Sequence, residues 1–456
     1  MRILTVCASL GRGGTQRAAQ SFSLAYRRAG HEVAFLAHAE GGPRQRRLEA
    51  AGIPVFLGGD DLPKALSAAD QFDPDVIHIH RAGVRNDKET HILQVLRRPD
   101  RRVLETNVFG RVDYSKGADL IDVHFQLSSW CMWRWRRTLG SQRRCRAGIV
   151  LPYPVDPSDF CPASHEQTEA FRREHHIPLD AFLCGRVGQP ALAKWHAQNL
   201  LAFAKIGTLD PNAWMVLLGI PDALRAMRNS LPASVRNRIV ILPETNSDSE
   251  LGTLYSSLDC FVHASLIGES FGLVLAEAMA CNCPVVTASR PHRDNSQVEV
   301  VGHQEGGLVA GSVRNLPEAA IELWSSPAQR RKIRRQARSR VLARFALETV
   351  SAKALKAAAI ALAHGDRHKL MDALGEDPDF QTDTSDAEID RLVHHVHGQP
   401  ARSEILMMHL CIHPTVQRLI RKYRELRASP QACRPIAPAK TESIFHDRAH
   451  SSCVGN

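Results

Sequence analysis

The run GESFGLVLAEAMACNCPVV, from Gly268 to Val286, constrains the fold more than any other stretch of this 456-residue chain. Between Phe271 and Cys281 every residue except Glu277 is apolar or glycine, so the segment reads as a helix buried over most of its surface. An ionised carboxylate buried alone costs several kcal/mol, so Glu277 requires a hydrogen-bonding partner or a ligand. Strand-forming residues Cys260 to Val262 precede the helix and Pro284, Val285 and Val286 follow it, which predicts a βαβ unit with Glu269 at its mouth. Ligands of such units sit beyond the carboxyl ends of the strands. The unpaired N–H groups of Phe271, Gly272 and Leu273 suit a phosphate, and Gly272 lets it come close. Eight residues at helical rise span ~12 Å. That places Glu269 and Glu277 at the two ends of a diphosphate, one toward a sugar and the other toward a ribose. A core helix whose Glu277 is held by a buried Arg or Lys is the purely structural alternative.

At this length one core is too few, and two domains with an extension are expected. The apolar fraction of 44% and charged fraction of 23% are those of an ordinary globular protein. No apolar stretch is long enough to cross a bilayer, and MRILTVCASLGRGG reads as a first strand rather than a signal peptide, so a cytoplasmic location is expected. The eleven cysteines lack any C-x-x-C spacing and the paired histidines lack a full ligand set. Neither a metal site nor a resident cofactor is expected.

The first part of the chain alternates β-rich runs (Ile3–Val6, Val33–Leu36, Val55 and Phe56, Val76–Ile79) with helical stretches, the first of them from about Ala18 to Arg28. This is a parallel, Rossmann-like pattern. Gly11, Gly13 and Gly14 follow the first strand as a loop able to approach a phosphate, though the full G-x-G-x-x-G spacing is missing. His80 ends a strand, facing either a cleft or the core. Asp73 and Asp75 precede that strand and read as a turn.

The stretch around Glu269 and Glu277 resembles the EX7E signature of retaining glycosyltransferases of family 4, whose fold is GT-B: α/β, with two Rossmann-like domains facing across a nucleotide-sugar cleft. DCFVHASLIGESFGLVLAEAMACNCPVVTAS, RDNSQVEVV and EGGLVAG follow that family's order, with Asn282 where a glycine is usual. The resemblance implies metal-independent transfer of a sugar from a nucleotide diphosphate-sugar to a hydroxyl on a saccharide or lipid-linked acceptor, in polysaccharide or glycolipid assembly. It implies Glu269 as the catalytic carboxylate. Donor contacts would come from Gly13, Gly14, Arg186, Lys194, Ser270, Phe271, Gly272, Leu273 and Glu277, with Arg186 and Lys194 taken as cations of an open loop. In RRVLETNVFGRVD, Thr106 stands where many relatives carry a histidine, so His80, Asn107 and Arg111 become the acceptor candidates. A GT-B epimerase and a non-catalytic nucleotide-sugar-binding subunit remain the alternatives.

The resulting layout is an acceptor-side domain at 1–155, a nucleotide-sugar domain at 156–345, a returning terminal helix at 346–365, and an extension of unassigned role at 366–456 whose last part, 429–456, has a disordered composition. Residues 1–150 hold 24 Lys and Arg against 15 Asp and Glu, nearly all of the chain's net charge of +10. Within them Trp130, Trp133 and Trp135 interleave with Arg134, Arg136, Arg137, Arg143, Arg144 and Arg146. Such a mixture suits peripheral contact with an anionic membrane at its inner face or a phosphate-bearing acceptor, and otherwise a solvated basic helix with its tryptophans packed inward. No nucleic-acid-binding motif is present.

Overall fold

A computed structural model of the chain describes residues 1–140, 145–245, 247–413, 415–417, 419, 420 and 422. The first domain is a seven-stranded, all-parallel sheet with order Val55–Leu57, Glu32–Glu40, Arg2–Ser9, Val76–Arg81, Arg102–Asn107, Val123–Gln126, Ala147–Val150. The second is a six-stranded parallel sheet with order Ile239–Leu242, Ala213–Leu218, Phe182–Val187, Cys260–His263, Val285–Ala288, Gly307–Ala310. Each order reverses beside the domain's own first strand. Such reversals open a crevice at the carboxyl ends, and the two domains face each other there in the GT-B arrangement.

The crossing between domains runs through Leu151–Ala163 and returns at Ala346. The two passages touch: Val155 N–H donates to Phe345 O at 2.8 Å, and Leu347 N–H donates to Val155 O at 2.9 Å. The returning helix, Leu347–Ala363, then buries Val350, Ala354, Ala357, Ala358 and Ala361 in the first domain's core. Its alanines let it lie close to the helix Gly14–Arg28.

The extension includes the α-helices Arg367–Glu376, Asp386–His394 and Arg402–Ile412. Ile389, Val393, Met408 and Ile412 form a cluster with Trp130 and Trp133 of the helix Ser129–Leu139. The Trp133 indole N–H donates to Asp386 at 2.7 Å, Arg137 pairs with Asp386 and Arg136 donates to Thr384. The tryptophans are therefore packed inward: Trp130, Trp133 and Trp135 are all buried. Arg134 is buried too, and its guanidinium binds Asp294 of the second domain at 2.7 Å. Trp130 and Trp133 are thus covered by the chain's own C-terminal helices, while Trp135 packs within the first domain against Met132, Leu139 and His124. Arg143, Arg144 and the tail 429–456 lie outside the described residues.

Among the described residues all nine cysteines are free, and no group of three or more His, Cys, Asp or Glu is placed to hold a metal. No described helix is long and apolar enough to cross a membrane. Asp73 sits at φ 54° and binds Arg101 at 2.9 Å, as a turn residue does. Asn282, where a glycine is usual, takes φ 59°, a left-handed conformation that Asn tolerates at the end of a helix.

Candidate active site

A cavity of about 670 Å³ lies between the domains. In the second domain it begins at the strand Phe182–Val187, whose end carries Arg186. Arg186 is not the open-loop cation expected from the sequence: it is 1% exposed, stacks 4.6 Å from the Trp195 ring centroid, and donates to Val187 O and to Lys194 O. Burial lowers its pKa to about 10, so it stays charged at neutral pH. Lys194, a third exposed in its side chain, reaches Glu269 at 3.2 Å.

Glu269, at the mouth of the βαβ unit, belongs to a two-residue strand, Gly268–Glu269, paired with Asp294–Asn295. Burial alone would raise its pKa, but the charges of Lys194 and Arg186 and the adjacent His263 outweigh that and hold it at about 2. His263, 3.4 Å from Glu269, is pushed down to about 4 by burial and by Arg186, so its imidazole is neutral. The neighbouring pair at the cavity wall is thus a permanent carboxylate and a neutral imidazole.

The helix Leu273–Ala280 starts at Gly272, which adopts φ 91°; a Cβ there would come within 2.8 Å of Leu275 Cδ1. Gly272 and Leu273 line the cavity, and the first N–H groups of this helix have no intrahelical acceptor. Ser270 and Phe271 do not line it. The Ser270 carbonyl accepts from Cys131 Sγ at 3.6 Å, and Phe271 packs edge-on between Tyr153 and Phe345.

One turn further in, Glu277 lines the far end of the cavity. Its partners are the Tyr255 hydroxyl at 3.3 Å and, from the first domain, the Arg17 guanidinium at 3.1 Å. Burial pushes its pKa up, and Arg17 only partly offsets this. Arg17 also binds Asp248 at 2.8 Å. The required partner therefore arrives across the cleft.

On the first-domain side, Gly14 approaches so closely that a Cβ would touch Leu273 Cδ1 at 3.4 Å, while Gly13 faces Gln16 and Gln189. The acceptor candidates stand elsewhere. His80 is buried beside His78, with ring centroids 4.3 Å apart, and is absent from the cavity wall. Asn107 staples its own loop, accepting from Arg111 N–H at 3.1 Å and donating to Arg111 O at 2.7 Å. The Arg111 guanidinium lies 3.2 Å from Asp294. Thr106 faces inward, hydrogen-bonded to His78 Nε2 at 2.8 Å.

What sequence reading missed is the other wall: Arg12, Arg17, Arg44, Arg46 and Arg47 all line the cavity. The signal was present. PRQRR follows two glycines after a strand that ends at Glu40, and carboxyl ends of strands are where ligands are met. His263 closes its strand in the same way.

Fold and cleft thus define a GT-B protein with a charged cavity between its domains. Comparison with known proteins agrees: residues 167–340 match the family model of glycosyl transferases group 1. The chain is 32% identical over 193 residues to a D-inositol 3-phosphate glycosyltransferase of Salinispora tropica, covering 38% of this chain and only 39% of that relative. It is 25% identical over 343 residues to a GDP-mannose-dependent alpha-mannosyltransferase of Mycolicibacterium smegmatis, covering 70% of this chain and 86% of that one. The solved structure of Anabaena Alr3699/HepE in complex with UDP shares the fold, with a TM-score of 0.62 at 18% identity over 78% of this chain and 99% of that chain.

Proposed function

We infer that the chain is a family 4 enzyme that moves a sugar from a nucleotide diphosphate-sugar to a hydroxyl acceptor with retention of configuration, in polysaccharide or glycolipid assembly. The observation that carries this reading is one cavity with Glu269, Lys194, Arg186 and His263 at one end, Glu277 at the other and a helix start between them. The names of the relatives support it, since one is dependent on GDP-mannose and another acts on D-inositol 3-phosphate.

The donor diphosphate lies over the N–H groups that start the helix Leu273–Ala280, between Arg186 and Lys194. The ribose turns toward Glu277, and the sugar toward Glu269. As the glycosidic bond lengthens, negative charge grows on the leaving phosphate oxygen, and Lys194 and Arg186 stabilise it where it forms. Held near 2, Glu269 is ionised at neutral pH and cannot protonate a leaving group. Its role is to accept hydrogen bonds from sugar hydroxyls and to favour positive charge at the anomeric carbon. The departing phosphate oxygen takes the acceptor's proton, so the new bond forms on the face the nucleotide leaves and no covalent enzyme intermediate is needed. Cationic side chains do the neutralising in this scheme, without a metal ion.

The test is thermal stabilisation by a panel of UDP- and GDP-sugars, in which a ligand at 100 times its Kd adds about 2.7 kcal/mol. Release of nucleotide diphosphate that depends on an added acceptor separates transfer from epimerisation. No stabilisation by any nucleotide sugar or nucleotide diphosphate would sink the reading.

A further inference from the structure

Glu269 does not fix its own position. Its strand, Gly268–Glu269, is two residues long, and its one strand partner among the described residues is Asp294–Asn295. Asp294 N–H donates to Ile267 O at 3.2 Å, Ser296 N–H to Glu269 O at 2.9 Å, and Glu269 N–H to Gln297 Oε1 at 3.1 Å. Gly268, at φ 71°, lies so close that a Cβ there would fall 1.7 Å from Asp294 O. A pair of strands this short has little stability of its own, so the carboxylate goes where residues 294–297 go.

Those residues are held from the other domain. The Arg134 guanidinium, on the helix Ser129–Leu139, donates to the Asp294 carboxylate at 2.7 Å and to Arg293 O at 3.3 Å, and its other terminal nitrogen donates to Phe109 O. Arg111 reaches the same carboxylate at 3.2 Å. Ser128 Oγ meets Ser296 Oγ at 2.7 Å, and Cys131 Sγ donates to Ser270 O at 3.6 Å, so the start of one first-domain helix brackets Glu269 on both sides. Arg134 and Asp294 are both buried. Two ions taken out of water recover the loss of hydration only where their geometry is well matched, so such a pair fixes a position more effectively than it adds stability. Neither residue lines the cavity.

We propose that Arg134 and Asp294 are positioning residues for Glu269: by joining the first domain to residues 294–297, they bring this carboxylate to the sugar end of the cavity only when the two domains are together. The proposal rests on the glycosyl-transfer reading above. A shift of ~1 Å in a reacting group costs on the order of 100-fold in rate. The nucleotide, which that reading gives to Glu277 and the start of the helix Leu273–Ala280, does not depend on the pair.

The experiment measures amide hydrogen exchange and turnover in the full chain. Arg134→Ala and Asp294→Asn should each speed exchange of the Glu269, Asp294 and Ser296 amides at least about tenfold, with the helix Leu273–Ala280 exchanging as in wild type. Asp294→Asn keeps the shape of the side chain, so it serves where Arg134→Ala does not fold. Arg12→Ala, which breaks a different bridge across the cleft, should leave those three amides at wild-type rates. With UDP-glucose or GDP-mannose as donor and release of UDP or GDP as the readout, Arg134→Ala and Asp294→Asn should lower kcat about 10- to 100-fold while the Kd of UDP or GDP stays within about twofold. Arg134→Lys keeps a cation for Asp294 and should recover part of the loss. Wild-type exchange at the three amides, equal acceleration in Arg12→Ala, or an unchanged kcat overturns the proposal. So does a parallel loss of nucleotide affinity, which a general loosening of the fold would produce. Failure of the wild-type chain to bind UDP or GDP, or to release either from these donors, overturns instead the reading on which the proposal rests.

Discussion

At the scale of single residues, the two glutamates of the cavity live in opposite fields. Glu269 lies among Lys194, Arg186 and a neutral His263, while Glu277 is paired with Arg17, with Arg44 a weaker influence. Glu269→Gln should therefore lower turnover about 100- to 1000-fold while leaving the Kd of the bare nucleotide diphosphate nearly unchanged, checked by steady-state kinetics beside calorimetry. Near-normal turnover in that variant would remove the catalytic assignment. Glu277→Gln should instead weaken the nucleotide by about tenfold, because a charged acceptor for two hydroxyls becomes a neutral one. The pH dependence follows from Glu269's depressed pKa, about 2 in the folded chain against 4.5 when free. Folding favours its ionised form, so its contribution to stability is complete above 4.5 and is lost as the pH falls toward 2. In urea titrations the stability gap between wild type and Glu269→Gln should be flat from neutral pH down to 4.5 and shrink only below it. A gap that closes near neutrality would contradict the placement of Lys194 beside this carboxylate.

At the scale of elements, the strand Phe182–Val187 and the helix Leu273–Ala280 do most to shape the donor side. Arg186 and Lys194 differ more than their shared charge suggests. Arg186 is packed on Trp195 and bonds two carbonyls, whereas Lys194 projects from a short turn. Arg186→Ala should destabilise the chain by about 2–4 kcal/mol, through lost packing and two orphaned carbonyls. Lys194→Ala should leave the melting temperature nearly unmoved and weaken diphosphate binding alone. Equal melting temperatures for the two variants would show that the Arg186 contacts are not formed. Gly272 sets where the helix starts, and its φ of 91° combined with the close Leu275 side chain makes Gly272→Ala costly in stability by about 1–2 kcal/mol.

At the scale of the whole molecule, contacts between the domains flank the cavity on both sides. Arg17 and Arg47 cross to Glu277, Asp248 and Asp159 at one end, and Arg134 reaches Asp294, Ser128 Oγ meets Ser296 Oγ and Ser129 bonds Glu299 at the other. The extension adds a third tie. It packs on the tryptophan helix of the first domain, and in the second domain His397 exchanges backbone hydrogen bonds with Val309 and Gly311 while Glu404 meets His292 at 3.3 Å. Ile389→Asp, which puts a charge into the cluster that holds Trp130 and Trp133, should cost more than about 3 kcal/mol and shift tryptophan fluorescence toward that of a wetter environment. Thr384→Ala at the rim should stay within about 0.5 kcal/mol of wild type. A silent Ile389→Asp would mean that the extension does not pack on this helix.

The chain's local patterns determined its local structures. Alternating β-rich and helical runs announce parallel α/β layers because each period buries one face, and the strands expected at Ile3, Val33, Val76, Cys260 and Val285 all lie within sheets. The apolar run around Glu277 announced a buried helix and a carboxylate in need of a partner, because no other arrangement hides so many apolar side chains. Which partner that is depended on tertiary structure, since Arg17 lies 260 positions away in the sequence and meets Glu277 only when the cleft assembles. The tryptophan and arginine segment shows the same limit. Its composition is equally compatible with a lipid surface and with a protein core, and only the docking of helices from the extension decides for the core. Burial of Arg186 and the inward turn of His80 and Thr106 are likewise set by what packs against each strand end, which a strand's own residues do not encode.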